Sequence, residues 1–582
     1  MINKRWLLAP PAPPEQIHAY NNYSPLLAQV LINRGFDTPE RARRFLEAKD
    51  ATSGRFLTFK GKRASIDRTL ARIRAAIRNN ERIVVYGDFD ADGVTSTALL
   101  VQTLRSLGAQ VKPYIPHRVD EGYGLNSEAL AKLRQDHAKL VITVDCGIRS
   151  VVEVEDGNAY GLDLIVTDHH SIGAELPNAL SLINPKLDDC AYTEDMLAGV
   201  GVAFRLAEAL LMIHATGRNG SGSRLTPDDL LDLVAIGTVA DLAPLDRLEN
   251  RALVKQGLTA LNQAKRPGVR ALMEVSGVKA GAVGAEDIGF ALAPRINAAG
   301  RLDSAMTAYQ LLMTSDPTEA LTLAKQLQEL NVRRQELTRA AQELIRTRLE
   351  MDEALDSPLI FAGDKGFQSG IVGLVAGRLT EEFFRPAVVM EEGERESRAS
   401  CRSIPQFDIT HALDQCADLL VRHGGHAQAA GFTVLNENIP ALKDRLLRLT
   451  RQALLGQDLV PTAAIDAEID IHRIDLEAAE QLRQLEPTGH HNPMPVFMTR
   501  NARVLEARTV GKDDQHLKLR LARAGQPPLD AIGFRMAGWI PKAGECVDIA
   551  FTLDVNEWKD TKTPQLKLED IYPAGKSGVI TA

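Results

Sequence analysis

Three aspartates at alternate positions, Asp88, Asp90 and Asp92, follow the β-branched run Ile83-Val84-Val85 and precede Gly93. Carboxylates this close repel one another, and left unpaired in a partly wet cleft they cost several kcal/mol. One divalent cation, or two, removes that cost, and hard oxygen ligands favour Mg²⁺ or Mn²⁺. Taken alone, the triplet is equally an Asp-rich surface turn. More acids follow, each at the end of an apolar run. Asp145 closes Val141-Ile142-Thr143-Val144, Asp168-His169-His170 close Leu164-Ile165-Val166-Thr167, and Asp241 closes the long segment Leu231–Val239. Singly these too have ordinary readings: Asp145 as a turn residue, Asp168 as a helix cap, the histidines as surface groups. Together they describe a crowd of like charges, which one cleft tolerates only with a cation among them. There is no Ser-His-Asp set and no Gly-Lys-Ser/Thr phosphate loop. Phosphate ester hydrolysis by two metal ions fits the ligand count.

The elements that would carry these residues alternate. From Arg82 to about Leu245, candidate strands Ile83–Tyr86, Val111–Ile115, Leu140–Val144, Leu164–Thr167 and Leu182–Ile183 are each followed by Gly, Asp or Asn and a helical stretch. That pattern predicts an open parallel sheet with helices on both faces, a fold that binds ligands at the carboxyl ends of its strands. Gly93 is expected to make a tight turn before a helix that begins at Thr95. Asp241 is expected at the same edge as the other acids.

The remaining chain divides by pattern. Residues 1–80 read as an N-terminal helical extension, with helices starting at Pro39-Glu40-Arg41 and running from Ile66 to Asn79; 81–250 hold the alternating unit. Residues 251–352 read as a helical connector. Leu323, Leu327, Leu330, Leu337, Ala341 and Leu344 follow a 4-3 spacing, with Arg334 at the one missing position, and predict a long helix with a narrow apolar seam. Arg333 and Arg334 are expected on its solvated face. Residues 353–456 form a second α/β unit, with a strand at Pro358–Phe361 and a helix at Gly370–Leu379. In Gly424-Gly425-His426 and Ala429-Ala430-Gly431 the small residues allow main-chain amides close to an anion, and His426 adds a donor. Residues 457–582 carry short β-rich runs at Val496–Met498, Ala502–Leu505, Leu517–Leu521, Ala531–Phe534 and Val547–Phe551, which predict a small barrel. Between Arg500 and Arg535, eight basic residues (Arg500, Arg503, Arg508, Lys512, Lys518, Arg520, Arg523, Arg535) face four acidic ones. That balance suits a groove for single-stranded nucleic acid, with Phe534, Trp539 or Trp558 as stacking candidates or, more ordinarily, as barrel core.

Composition sets the bounds. The net charge of −8 over 582 residues argues against broad nucleic-acid coating but allows a local basic groove. Five scattered cysteines without a CxxC pair suggest neither a disulfide framework nor a zinc knuckle, and fit a reducing cytoplasm. The apolar run in Met1–Pro14 is broken by prolines and is too short for a signal peptide, and no later segment is long enough to span a bilayer.

Read in order, Tyr86–Gly93, Asp120–Leu125, Val144–Ile148, Thr167–His170, Ala198–Ala203, Gly237–Asp241, Pro294–Leu302 and Gly424–Gly431 carry a resemblance. The chain resembles the DHH phosphoesterase superfamily and, within it, the bacterial exonucleases that degrade single-stranded DNA 5′→3′. The resemblance covers nearly the whole chain. It implies an α/β multidomain protein: a parallel-sheet DHH domain, a long connecting helix, a second α/β DHH-associated domain and a C-terminal OB-fold β-barrel. It implies Mn²⁺ or Mg²⁺ as a pair of ions, single-stranded DNA as substrate, and mononucleotide products. A single-strand-binding protein and a repair helicase are the partners it suggests, for a monomer without membrane attachment. Asp145, alone on its strand end, is the candidate bridging ligand, with Asp88, Asp90, Asp92, His169 and Asp241 completing the two sites. His170 is a further ligand, a transition-state stabiliser or the proton donor to the leaving oxygen, and the non-ligand roles are favoured. Asp168 is expected to orient an imidazole. Arg118, Arg295, Ser400, Arg402 and His426 are candidates for the terminal phosphate by motif position. Gln368-Ser369 stands where bacterial members often carry His-Gln, and no role is assigned to it. Two other readings compete: a phosphoesterase of short oligoribonucleotides or cyclic dinucleotides, and a non-catalytic nucleic-acid scaffold.

Overall fold

The computed structural model describes residues 4–49, 65–118, 120–122, 124–188, 190–192, 196–215, 225–351, 355–558 and 561–581. At its centre is a five-stranded parallel sheet in the order Gln110–Tyr114, Arg82–Gly87, Ala138–Val144, Asp163–Thr167, Ser181–Ile183. Ile83, Val84, Val85 and Tyr86 are all buried, as a strand covered on both faces requires. After Arg82–Gly87 the chain first adds a strand on one side and then crosses to the other, so the ends of Arg82–Gly87 and Ala138–Val144 border the crevice of a topological switch point. Register aligns the ends: Gly87 pairs with Val144, and Val144 with Thr167. The next residue on each strand is an aspartate, so Asp88, Asp145 and Asp168 leave the sheet side by side.

Two local expectations are corrected. The helix after the first strand is Ala91–Ser106; Asp90 is its N-cap, and Asp92 and Gly93 lie in its first turn. Gly93 therefore makes no turn. It is small because a Cβ there would lie 2.5 Å from the Asp88 carbonyl. The long apolar segment Leu231–Ala240 is a helix, so Asp241 is a helix C-cap. An apolar run buried on every side has no amphipathic period to reveal its type. This helix packs on Ala91–Ser106 and Gly199–Ala215, which also pack on each other.

The connecting helix spans Pro317–Met351, 35 residues and about 50 Å. Its first half packs on Pro267–Ser276, Ala293–Leu302 and Met306–Met313, its second on Ser369–Phe383. Because its partners change, no single seam runs its length. Leu323, Leu327 and Ala341 are buried as expected, but Asn331, Thr338 and Ile345 are buried too, Leu330 and Leu337 are half-buried, and Leu344 is exposed. Arg333 faces solvent; Arg334 does not, and donates to Asn331 Oδ1 at 2.9 Å.

The second α/β unit has a mixed sheet in the order Leu420–His426, Ala429–Leu435, Glu396–Arg402, Ala387–Glu392, Ile360–Asp364. Gly424–His426 and Ala429–Gly431 thus face each other in a strand hairpin.

The C-terminal unit is a barrel ordered Ala467–Glu468, Phe497–Val510, His516–Leu521, Leu529–Gly533, Thr561–Pro573, Cys546–Trp558, with Cys546–Trp558 also pairing to Phe497–Val510. Two expected short strands merge into the bulged Phe497–Val510. The strand Thr561–Pro573, with Pro564 and several charges, was not expected. Residues 1–80 are more than a helical extension: Arg5–Leu8 pairs in parallel with Thr462–Ile465 and with Ile580–Thr581, and buried Trp6 donates to Asp570 at 3.0 Å. Tyr20, Leu27 and Phe45 share one core with the barrel. Trp539 is half-buried against that core and Phe534 is exposed; the Trp558 and Lys512 side chains lie outside the described residues. Arg500, Arg508, Lys518 and Arg520 pair with Glu468, Glu506 and Asp530, which offsets much of the basic excess. No helix among the described residues is long and apolar enough to cross a membrane.

Candidate active site

Each strand end contributes a carboxylate with a distinct environment. Asp90 caps the helix behind it: its Oδ1 accepts the amides of Asp92 and Gly93 at 2.9 and 3.1 Å. Asp92 is held by the first two amides of the Gly199–Ala215 helix, Gly199 to Oδ2 at 2.7 Å and Val200 to Oδ1 at 2.8 Å. A helix N-terminus is suited to that negative charge. Asp145 has a left-handed backbone, φ 62°. A Cβ on Gly199 would lie 2.6 Å from the Asp145 Cβ, so only glycine allows helix and carboxylate to approach this closely.

Asp168 behaves differently. Its Oδ1 accepts from the amides of His169 and His170 and from His170 Nδ1 at 2.7 Å; its Oδ2 accepts from the Ile148 amide at 2.9 Å. It therefore orients His170 and not His169. Burial works to raise its pKa, but these donors and the imidazoles outweigh burial and hold it below the usual carboxylate range. Burial works to lower the His170 pKa, and Asp168 more than offsets this.

His169 Nε2 points into the acids. It lies 3.0 Å from Asp145 Oδ1, 3.8 Å from Asp241 Oδ2 and 3.9 Å from Asp92 Oδ2. Three donor atoms in this cluster are buried without a hydrogen bond: Asp88 Oδ1, Asp145 Oδ1 and His169 Nε2. Burial, then the neighbouring acids, push Asp88 and Asp145 well above the carboxylate range, Asp92 up to about 7 and Asp241 up to about 9. Buried orphan acceptors of like charge are strongly unfavourable. Divalent cations would satisfy them, and the donor set is suitable: Asp88, Asp90 and Asp145 form one group within 4.8 Å, Asp92, His169 and Asp241 another. Oxygen donors with one imidazole suit Mn²⁺ or Mg²⁺.

A cationic pocket adjoins the acids. The Arg118 guanidinium lies 4.7 Å over the Phe89 ring and feels Asp88 and Asp90. Arg301, to which the sequence assigned no role, is half-buried and donates to the Gly370 carbonyl at 3.1 Å. Burial, then Arg118 and Arg334, lower its pKa to about 10, with Arg402 adding to the effect. Arg402 Nη1 donates to the Cys401 carbonyl at 2.8 Å and to Ser400 Oγ at 3.3 Å. A Cβ on Gly373 would sit 3.0 Å from Ser400 Oγ, so both side chains lie under the Ser369–Phe383 helix. His426 pairs with Ala429 and Ala429 with Arg402, which puts His426 and Arg402 on one face two strands apart. Arg295 donates to Gln328 Oε1 and the Ala291 carbonyl and lies near Arg334. Asn297, also unforeseen, accepts the Ala91 amide at 2.8 Å and ties the acidic loop to the Ala293–Leu302 helix. Both missed residues lie inside the Pro294–Leu302 motif, which was quoted for the resemblance without roles beyond Arg295.

A switch-point sheet whose strand ends converge on Asp-His-His, beside a second domain with a cationic pocket, defines a DHH phosphoesterase. Three family profiles agree: the DHH family N-terminal domain over residues 82–238, the DHHA1 domain over 356–452 and the RecJ OB domain over 465–570. The chain is 39% identical over 564 residues to the single-stranded-DNA-specific exonuclease RecJ of Bacillus subtilis, covering 96% of this chain and 68% of that relative. It is 36% identical over 526 residues to the Escherichia coli protein of the same name, covering 88% and 90%. It also superposes on a crystal structure of RecJ from Thermus thermophilus in complex with Mn²⁺, with a TM-score of 0.81 and 32% identity, covering 98% and 79%. The chain belongs to the RecJ family.

Proposed function

We propose that this protein is a metal-dependent exonuclease that degrades single-stranded DNA 5′→3′ to mononucleotides in DNA repair and recombination. The observation that carries the reading is the set of orphan buried donors, Asp88 Oδ1, Asp145 Oδ1 and His169 Nε2, placed beside the arginine cluster of Arg118, Arg301 and Arg402. Asp88, Asp90, Asp92, Asp145, His169 and Asp241 would hold two Mn²⁺ or Mg²⁺ ions, with Asp145 the candidate shared ligand. Bound there, such ions would activate water at neutral pH and offset charge on the phosphoryl oxygens.

The chain's own groups do the rest. Asp168 accepts a hydrogen bond from His170 Nδ1 and favours the imidazolium, the form that would give a proton to the departing oxygen. Arg118, Arg301, Ser400, Arg402 and His426 would grip the 5′-terminal phosphate. A grip on that end and not within the strand makes the enzyme an exonuclease and sets its direction. Single-stranded DNA would reach the pocket from the barrel. The small-substrate reading leaves the barrel without a use. The scaffold reading leaves a complete ligand set unexplained. A single-strand-binding protein and a repair helicase are the partner classes this activity implies, for a monomer working in the cytoplasm.

End-labelled single- and double-stranded DNA and RNA, incubated with Mn²⁺, Mg²⁺ or chelator, test the reading. The 5′-labelled single strand should yield mononucleotide with either metal and nothing in chelator, with the duplex intact. Equal attack on the duplex, or release of long products first, overturns it.

A further inference from the structure

Phe290 is the most exposed large apolar side chain among the described residues, at 83%. It stands on a π-helical turn, Ile288–Leu292. Such turns are rare and are frequent at functional sites. On one side the turn packs on the Leu231–Ala240 helix: a Cβ on Gly289 would lie 4.0 Å from Val239, two residues before Asp241. Leu242, immediately after Asp241, has φ 57° and is itself 64% exposed. On the other side the turn runs directly into Ala293–Leu302, the helix of Arg295 and Arg301. Glu286, four residues before Phe290, is 3.7 Å from Lys567 of the barrel. Phe290 thus stands out from the surface between barrel and metal centre.

Of the acids on this segment, Glu286 pairs with Lys567 and Asp287 accepts the Gly284 amide. Arg295, five residues after Phe290, is bound by an amide oxygen and a carbonyl and not by a carboxylate. An exposed ring and a guanidinium are the two kinds of group that hold single-stranded nucleic acid, the ring against a base and the cation against phosphate. We propose that Phe290 stacks on a nucleobase of the strand 3′ to the scissile bond and so positions the strand between barrel and metal centre. This rests on the exonuclease reading above.

The test combines a side-chain deletion with a base deletion. Wild type, Phe290→Ala and Phe290→Trp are titrated with a 5′-phosphorylated oligodeoxythymidylate and with versions carrying one abasic residue at successive positions. Calcium replaces manganese during binding, to prevent turnover. Phe290→Ala should weaken binding of the intact strand about tenfold, as expected for one stacked base. One abasic position should cost wild type the same factor and cost Phe290→Ala nothing further, and Phe290→Trp should bind at least as well as wild type. Unchanged affinity in Phe290→Ala, or losses that multiply at every abasic position, overturns the proposal. So does wild type that is indifferent to every abasic position, a result that needs no variant. A concentration-dependent dimer abolished by Phe290→Ala would assign the ring to self-association instead. Wild type that fails to degrade single strands with Mn²⁺ sinks the exonuclease reading, which the binding results leave separate.

Discussion

Asp145 concentrates the cost of this site in one residue. Its backbone is left-handed, its carboxylate is buried, and one oxygen meets only a histidine nitrogen that makes no hydrogen bond to it. Such strain persists where the surroundings hold it in place and is common at functional sites. Asp145→Ala should abolish hydrolysis of 5′-phosphorylated single strands in Mn²⁺ while leaving strand binding largely intact; wild-type turnover in that variant would remove Asp145 from its bridging role. The cluster also predicts a pH dependence. Asp92, raised by burial and then by Asp90, and Asp241, raised by burial and then by Asp92 and Asp90, hold protons in the folded metal-free protein that an unfolded chain releases near pH 4. More protons bound folded than unfolded means that stability falls as pH rises, from about pH 4 through Asp92 near 7 and Asp241 near 9. A bound cation replaces those protons. The Mn²⁺-induced rise in Tm should therefore be larger at pH 8 than at pH 5.5, and calorimetry in buffers of different ionisation enthalpy should detect proton release on binding. A rise independent of pH would show that the acids are not the ligands.

At the scale of elements, the Gly199–Ala215 helix acts as a fixed electrostatic support. Its first two amides hold Asp92, and its first residue touches Asp145. Gly199→Ala pushes on Asp145 without altering any proposed ligand, and should weaken Mn²⁺ binding by roughly 10- to 100-fold, the usual cost of disturbing a ligand's support. An unperturbed Kd would show that the loop can yield. The Glu396–Arg402 strand places Ser400 and Arg402 under one helix by simple alternation. Arg402→Ala should reduce discrimination between 5′-phosphate and 5′-hydroxyl ends. Equal loss on both substrates would locate the terminal-phosphate grip elsewhere, with Arg301 or Arg118.

The whole molecule is tied together by a buried arginine remote from the chemistry. Arg251, on the Leu248–Asn262 helix that packs on Leu231–Ala240, is completely buried. It donates to the carbonyls of Phe45, Gln484, Leu485, Glu486 and Pro487, and its guanidinium lies 4.0 Å over the Phe45 ring. One side chain thereby joins the catalytic domain, the N-terminal helices and the approach to the barrel. Burial, with Arg34 nearby, lowers its pKa to about 9. Arg251→Met leaves these carbonyls without donors and should cost roughly 3 kcal/mol or more. The expected signature in differential scanning calorimetry is a catalytic-domain transition separated from that of the barrel and N-terminal unit. A single unshifted transition would mean that the interface stands without the arginine.

Much of this was legible in the chain, and the boundary of legibility is physical. Asp88, Asp145 and Asp168 could be placed because β-branched runs mark strands locally, and a parallel sheet brings equivalent strand ends together. Asp241 is expected at the edge where the structure places it, but whether Leu231–Ala240 is helix or strand is not legible, since it is apolar all round and periodicity does not distinguish the two when buried. The secondary structure around His426 is not legible either, because its hairpin is settled by pairing with the neighbouring strand. By itself the sequence determined which acids and histidines could serve as ligands and where each sheet strand ends, because both depend on residue type and short-range pattern. Only the tertiary structure decided that Asp168 serves His170, that Arg301 joins Arg118 and Arg402, and that Arg5–Leu8 pairs with Thr462–Ile465. Those choices depend on which distant segments lie within a few ångströms of each other, and that is set by how whole helices and sheets pack.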